Sequence, residues 1–267
     1  MSLCFAFVSN DPSQTACALS PFKDVLLLPD GAPDGWGMGY YQVGQPLLRK
    51  QPRTPPGPLD FVGIASNLRT NLMLGHVRSA TTGGQRTENT HPFRYRNWIF
   101  CHSGTLDRFD EVREEMLRSV PDFIRRNIRG RTDSEHLFHL FLSFLNDTGR
   151  TDDPRIPPDV AARALASTFA YMDRLVVDRG GDPLKGCCVL SNGNVVVGIR
   201  RGTPMRVTRH ATYVCPGADG KPTKVPNLRA VLLMGGTPPE LAGWEEVSDG
   251  SIVTIDSTLN IDYSNPV

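Results

Sequence analysis

The order of its hydrophobic patterns is what most restricts the fold of this chain: strand-like runs, then helix-like stretches, then strand-like runs again. Runs rich in β-branched and aromatic residues occupy 4–8, 39–43, 72–76 and 98–102, and then 187–190, 195–199, 211–215, 230–234 and 251–255. Gly, Pro, Asn or Asp bounds each of them, as expected of strands. Asn192-Gly193 between two of these runs predicts a hairpin, because that pair accepts the positive φ of a type I′ turn. The middle of the chain has helical spacing instead. Residues 106–120 carry Phe109, Val112, Met116 and Leu117 on one stripe, and 133–145 carry Leu137, Leu140, Phe141 and Phe144. Residues 158–172 carry Val160, Ala164, Leu165, Phe169 and Met172, with Pro158 at the start, where proline is tolerated. Asp133 or Ser134 is the expected cap of the second helix. Strands before and after a helical block imply an α+β, layered fold rather than regular βαβ winding. The Pro-rich stretches 51–58 and 152–158 read as surface loops, so residues 1–267 are expected to form one domain.

Bulk chemistry narrows the function. The 267 residues include 29 Lys+Arg against 28 Asp+Glu, so the chain lacks the positive excess of a nucleic-acid binder. The one dense basic cluster, Arg125, Arg126, Arg129 and Arg131, has no interleaved aromatics and reads as a solvated helix end. No run approaches the roughly 18 apolar residues of a membrane span, and no signal-peptide pattern opens the chain. The six cysteines have no CxxC spacing, so neither a disulfide framework nor a zinc site is expected, and the chain reads as a reduced, cytoplasmic protein.

Cys4 stands apart because it lies so close to the start. A cysteine at a true N-terminus has a general base attached, since its α-amine can take the thiol proton. The plain alternative is a small apolar residue on a buried strand. Four polar clusters accompany it. Residues 33–41 set Trp36 among glycines. Residues 75–84 run from a strand into Arg78, Thr81 and glycines, with Asn89 to Phe93 beyond. An arginine at such a strand end can grip a carboxylate bidentately. The third cluster, His102-Ser103-Gly104, ends another strand, where a glycine can turn its N–H toward an oxyanion. The fourth, Thr132-Asp133-Ser134-Glu135, begins a helix and has ordinary N-capping as its simpler explanation.

Taken in order, Cys4 and residues 34–37, 75–83, 89–93, 102–104 and 132–135 resemble the landmarks of the class II glutamine amidotransferases, which are N-terminal-nucleophile hydrolases. The likeness is greatest to the stand-alone branch that includes γ-glutamyl hydrolases, and it extends from residue 4 to about residue 140. It implies a four-layer αββα sandwich and a small-molecule γ-glutamyl substrate. By the resemblance, Cys4 is the nucleophile that forms a γ-glutamyl thioester, with its α-amine as base. Arg78 holds the α-carboxylate, Asp133 the α-ammonium, and Thr81, Trp36 and His102 line the same pocket. Gly104 and Ser103 are the oxyanion donors. No metal or other cofactor is implied, and no nucleic-acid or membrane partner. A synthase partner or a homo-oligomer is compatible with a chain of this length.

Two departures from the family pattern stand in the sequence. Ser103 replaces the usual Asn of the third motif, exchanging an amide donor for a shorter hydroxyl. Met1-Ser2-Leu3 precede Cys4 and lock its nitrogen in a peptide bond, so the expected mechanism requires their removal. A degenerate, binding-only amidotransferase-like subunit is therefore an alternative reading. A metal-dependent hydrolase built on His136 and His139 is a weaker one, since the HExxH spacing is missing.

Overall fold

The computed structural model describes residues 2–28, 34–53, 57–78, 86–216, 221–236, 240 and 242–265. Among these, two antiparallel sheets face one another. The first is built from β1 (Leu3–Ser9), β2 (Gly35–Gln42), β3 (Gln45–Gln51) and β4 (Leu72–Arg78). The second begins with β5 (Phe93–Tyr95) and β6 (Trp98–Thr105), followed by β7 (Lys185–Ser191) and β8 (Val195–Arg201). β9 (Met205–His210), β10 (Ala230–Gly235) and β11 (Trp244–Glu246) return to the first sheet, and β12 (Ile252–Asp256) and β13 (Ile261–Ser264) to the second. The spatial orders are β11-β9-β10-β1-β4-β2-β3 and β13-β12-β8-β7-β6-β5.

Period-2 alternation divides the apolar residues into three layers. Cys4, Ala6 and Val8 of β1 meet Cys101, Cys187 and Val189 of the opposite sheet between the two sheets. Leu3, Phe5 and Phe7 point the other way, toward short helices at Thr15–Leu19, Lys23–Leu26 and Phe61–Ala65. The outer face of the second sheet carries α1 (Phe109–Arg118), α2 (Asp133–Asp147) and α3 (Pro158–Val177). There Phe138 stacks on Phe100 at 5.2 Å and Phe141 meets Trp98 edge-on at 5.4 Å. The result is the αββα order of layers that the sequence resemblance implied. Tyr41 ties its interior, its hydroxyl lying 2.7 Å from the carbonyls of both Asn97 and Ser191.

Several details differ from expectation. The polar strands β3 and β11, at the two edges of the first sheet, and β9 beside β11 escape an apolar-run criterion, because strands at or near an edge expose charged faces. The run at 211–215 forms Tyr213–Pro216, which pairs with Pro222–Val225 in a separate two-stranded ribbon rather than in either large sheet. The cap of α2 is Thr132, whose hydroxyl accepts the Glu135 N–H at 3.2 Å, not Asp133 or Ser134. Cys17 and Cys215 form a disulfide with Cα atoms 5.8 Å apart, tying the Thr15–Leu19 helix to the ribbon. The expectation of six unpaired thiols therefore fails for this pair, whose partners lie 198 residues apart in the sequence. No helix of the described residues is long and apolar enough to cross a membrane.

One close approach fixes how β1 and β4 pack. Gly75 lies opposite Phe5, and a Cβ at Gly75 would come within 2.1 Å of the Phe5 ring. That ring is in turn held edge-on against Phe61 at 5.0 Å. Gly75→Ala should therefore destabilise the fold by about 1–3 kcal/mol through overpacking. An unchanged denaturation midpoint in urea would contradict this packing.

Candidate active site

One end of the sandwich opens into a small cleft where the end of β4, the end of β6 and the first turn of α2 converge. Its walls include Ser2, His76, Arg78, Gly104, Thr132 and Asp133, and its free space, open mouth included, is about 330 Å³. Arg78 reaches this place because it is the last residue of β4 and shares the inward face with His76 and Leu74. It is only 5% exposed. Burial pulls its guanidinium below the usual arginine range, and the Asp34 carboxylate opposes that shift.

Asp133 is the first residue of α2, where a carboxylate complements the helix dipole. One carboxylate oxygen accepts the Leu106 N–H at 2.9 Å and the other the Ser134 N–H at 2.7 Å. These bonds fix its orientation while leaving lone pairs available to a cationic ligand. The loop preceding the helix is held just as firmly. Glu135 accepts the N–H groups of Arg129 and Gly130, at 2.9 and 2.6 Å, and Asn89 Oδ1 accepts that of Arg131 at 3.0 Å. The Thr132–Glu135 cluster thus caps its helix and also presents Asp133 to the cleft.

Three imidazoles form the floor. His76 Nε2 donates to the His102 carbonyl at 2.9 Å, and its ring stacks on His91 with centroids 4.0 Å apart. His102 Nδ1 lies 2.9 Å from the Ser134 hydroxyl. Burial dominates all three, pushing His76 down to about 3, His91 well below its ordinary value, and His102 down against the opposing field of Asp133. These three imidazoles therefore add no positive charge beside Arg78 at neutral pH. Gly104 completes the wall, and a Cβ there would meet His102 Nε2 and the Lys185 carbonyl at 2.7 Å each.

The structure thus brings Arg78, Asp133, His102 and Gly104 together in one cleft, whose walls do not include Cys4, Trp36 or Ser103. Cys4 does not line the cleft. It is fully buried between the sheets, its Sγ 3.8 Å from Cys187 Sγ. The contact with Cys187, followed by burial, raises its thiol well above the ordinary range, which disfavours the thiolate. Trp36 faces the outer layer, edge-on to Phe61 at 5.7 Å, because it alternates with the inward Gly37. Ser103 donates its hydroxyl to the Ser2 carbonyl at 2.9 Å, so that hydrogen is not offered to an oxyanion. Thr81 lies outside the described residues. His136 and His139 turn Nδ1 to carbonyls of their own helical segment, those of Thr132 and Glu135, both at 2.8 Å. Among the described residues, no group of three His, Cys, Asp or Glu could hold a metal ion.

Sequence reasoning missed Ser2, His76 and His91 as cleft residues. For Ser2 the signal was available: it is two residues from Cys4 and so on the same strand face.

Histidines held neutral make stability depend on pH. Their folded pKa values lie below the unfolded value of 6.5, so the unfolded chain takes up protons first as pH falls. The contribution is intact above about pH 6.5 and is lost progressively toward the folded value, about 3 for His76. Each such imidazole should cost up to about 1.4 kcal/mol per pH unit within that window. Urea midpoints measured from pH 7.5 to 4.5 should fall, and His76→Phe should flatten the slope; a flat wild-type profile would contradict the neutral cluster.

Comparison with solved structures supports the architecture. A glutamine aminotransferase class-II domain protein from Silicibacter pomeroyi superposes with a TM-score of 0.62 at 20% identity, covering 99% of both chains. Glutamine phosphoribosylpyrophosphate amidotransferase from B. subtilis superposes with a TM-score of 0.56 at 13% identity, 99% of this chain matching 49% of that one. Among curated proteins, a probable glutamine amidotransferase of Saccharomyces cerevisiae is 32% identical over 122 residues, 43% of this chain and 34% of its own length. The γ-glutamyl-hercynylcysteine sulfoxide hydrolase of Mycobacterium tuberculosis is 36% identical over 76 residues, 28% of this chain and 33% of its own. The matches thus span about a third of the length of these two relatives. The family model of the class-II glutamine amidotransferases matches residues 1–215, and the chain belongs to that family.

Proposed function

We propose that this protein hydrolyses the amide bond of a γ-glutamyl compound, glutamine included, releasing glutamate and ammonia or an amine. The observation that carries this reading is the pairing of a buried cation, Arg78, with an anchored anion, Asp133, in one cleft. A fixed charge of each sign reads the two ends of an amino-acid zwitterion and leaves its side-chain carbonyl to be aimed at the remaining wall. The mycobacterial relative, named for hydrolysis of a γ-glutamyl compound, supports the same substrate class. A relative from Bradyrhizobium diazoefficiens named glutamine–fructose-6-phosphate aminotransferase supports an alternative fate for the ammonia, delivery to a synthase partner. Full burial of the Cys4 thiol between the sheets weighs against the thioester expected from it. Its burial also favours a second reading, a γ-glutamyl-binding subunit without turnover. Glutamate or ammonia release from a panel of γ-glutamyl amides separates the two.

Removing either charge should mainly weaken recognition. Arg78→Ala and Asp133→Ala each delete a charge-assisted contact of about 1.5–3 kcal/mol, so kcat/KM for the best γ-glutamyl substrate should fall about 10- to 100-fold. Full activity in either variant would show that the zwitterion binds elsewhere.

A further inference from the structure

We propose that the nucleophile of this cleft is the hydroxyl of Ser2, activated by its own α-amine once the peptide bond preceding Ser2 has been cut. The inference rests on the γ-glutamyl reading above and supplies the residue that reading lacks.

Position and alternation give the first argument. Leu3 faces the outer layer with Phe5, whereas Cys4 faces the space between the sheets. Ser2 is the next residue on the face of Cys4, just past the end of the sheet, and it lines the cleft with Arg78, Gly104 and Asp133. Cys4 would have to leave a fully buried position against Cys187 to reach the same space.

The second argument is that the backbone of Ser2 is held in place. Its carbonyl accepts the Ser103 hydroxyl at 2.9 Å. The same oxygen lies against Gly236, where a Cβ would come within 2.3 Å of it, and the φ of +110° at Gly236 further favours glycine. Two separate strand ends thus grip a residue that lines the cleft. Ser103 acquires a role here that its replacement of an amide donor did not suggest: it is a positioning residue for Ser2.

The chemistry balances with water as the only co-reactant. Ser2 Oγ attacks the γ-carbonyl carbon while its proton passes to the neutral α-amine, directly or through water. The tetrahedral intermediate collapses, the C–N bond breaks, and the leaving nitrogen takes the proton from the α-ammonium. A γ-glutamyl ester remains on Ser2. Water, deprotonated by the regenerated amine, attacks this ester; the C–O bond to Ser2 breaks, the hydroxyl recovers its proton, and glutamate departs. While Ser2 nitrogen is part of a peptide bond it is not basic, so cleavage before Ser2 is the activating event.

The test uses the full chain, with its N-terminus defined by intact mass and fragment sequencing, and a diazoketone analogue of glutamine as the probe. Protein beginning at Ser2 should hydrolyse γ-glutamyl amides and take one label, mapped to Ser2 by fragmentation. Its kcat/KM should rise with pH through an apparent pKa of roughly 7.7–8.0, that of an α-amine. Ser2→Ala should lose turnover by at least about 1,000-fold and lose the label, yet keep the wild-type melting temperature and glutamate affinity. Ser2→Cys should retain turnover through a thiol at the same place, and Cys4→Ala should retain both turnover and label. Turnover by protein whose Ser2 nitrogen is still in a peptide bond, a label on Cys4, or an active Ser2→Ala variant would overturn the assignment. In those cases Arg78-dependent glutamate binding would show that the γ-glutamyl reading survives. Protein with a free Ser2 amine that neither binds glutamate nor cleaves any γ-glutamyl amide would overturn both.

Discussion

The central position of β1 in the seven-stranded sheet fixes the rest of the site. β10 pairs with it on one side and β4 on the other, over nearly its whole length in each case. A strand buried between two partners cannot slip by one residue without turning its entire apolar set to the wrong face. Phe5 and Phe7 therefore stay in the outer layer, Cys4, Ala6 and Val8 stay between the sheets, and the residue before the strand emerges at the sandwich end. The same register places His76 opposite Cys4 and carries Arg78 into the cleft beyond it.

Electrostatic arrangement complements that geometry. Arg78 is nearly buried, yet its nearest imidazole neighbours are kept uncharged by burial, and Asp34 supplies an opposing carboxylate field. A cation largely withdrawn from solvent attracts a ligand carboxylate more strongly than it would in bulk water. Asp133 is treated differently. Backbone N–H groups and the start of α2 hold its carboxylate in a set orientation, so the two charges differ in environment as well as sign. This asymmetry gives the cleft a direction along which an amino acid can lie.

Much of this was legible in the sequence. The central strands and the three long helices carry clear periodicity, and Arg78, Gly104 and Asp133 fall at element ends where polar residues meet a cavity. What could not be read was the face of each strand that a given residue occupies. Trp36 lies within a glycine-rich motif but alternates with Gly37, and so points away from the cleft. Cys4 is the earliest thiol in the chain, but Ser2 shares its face and lies nearer the open end. The Cys17–Cys215 pair joins residues 198 apart, a proximity that only the tertiary fold creates. Likewise β9 and the edge strands β3 and β11 are stabilised by pairing with neighbours rather than by local apolar runs.

A crystal structure of the protein beginning at Ser2, with glutamate bound, tests the account most directly. The account predicts the α-carboxylate on the Arg78 guanidinium, the α-ammonium on Asp133, and the side-chain carboxylate within hydrogen-bond reach of Ser2 Oγ. Glutamate bound in the opposite direction, or outside this cleft with its side chain turned away from Ser2, would contradict it.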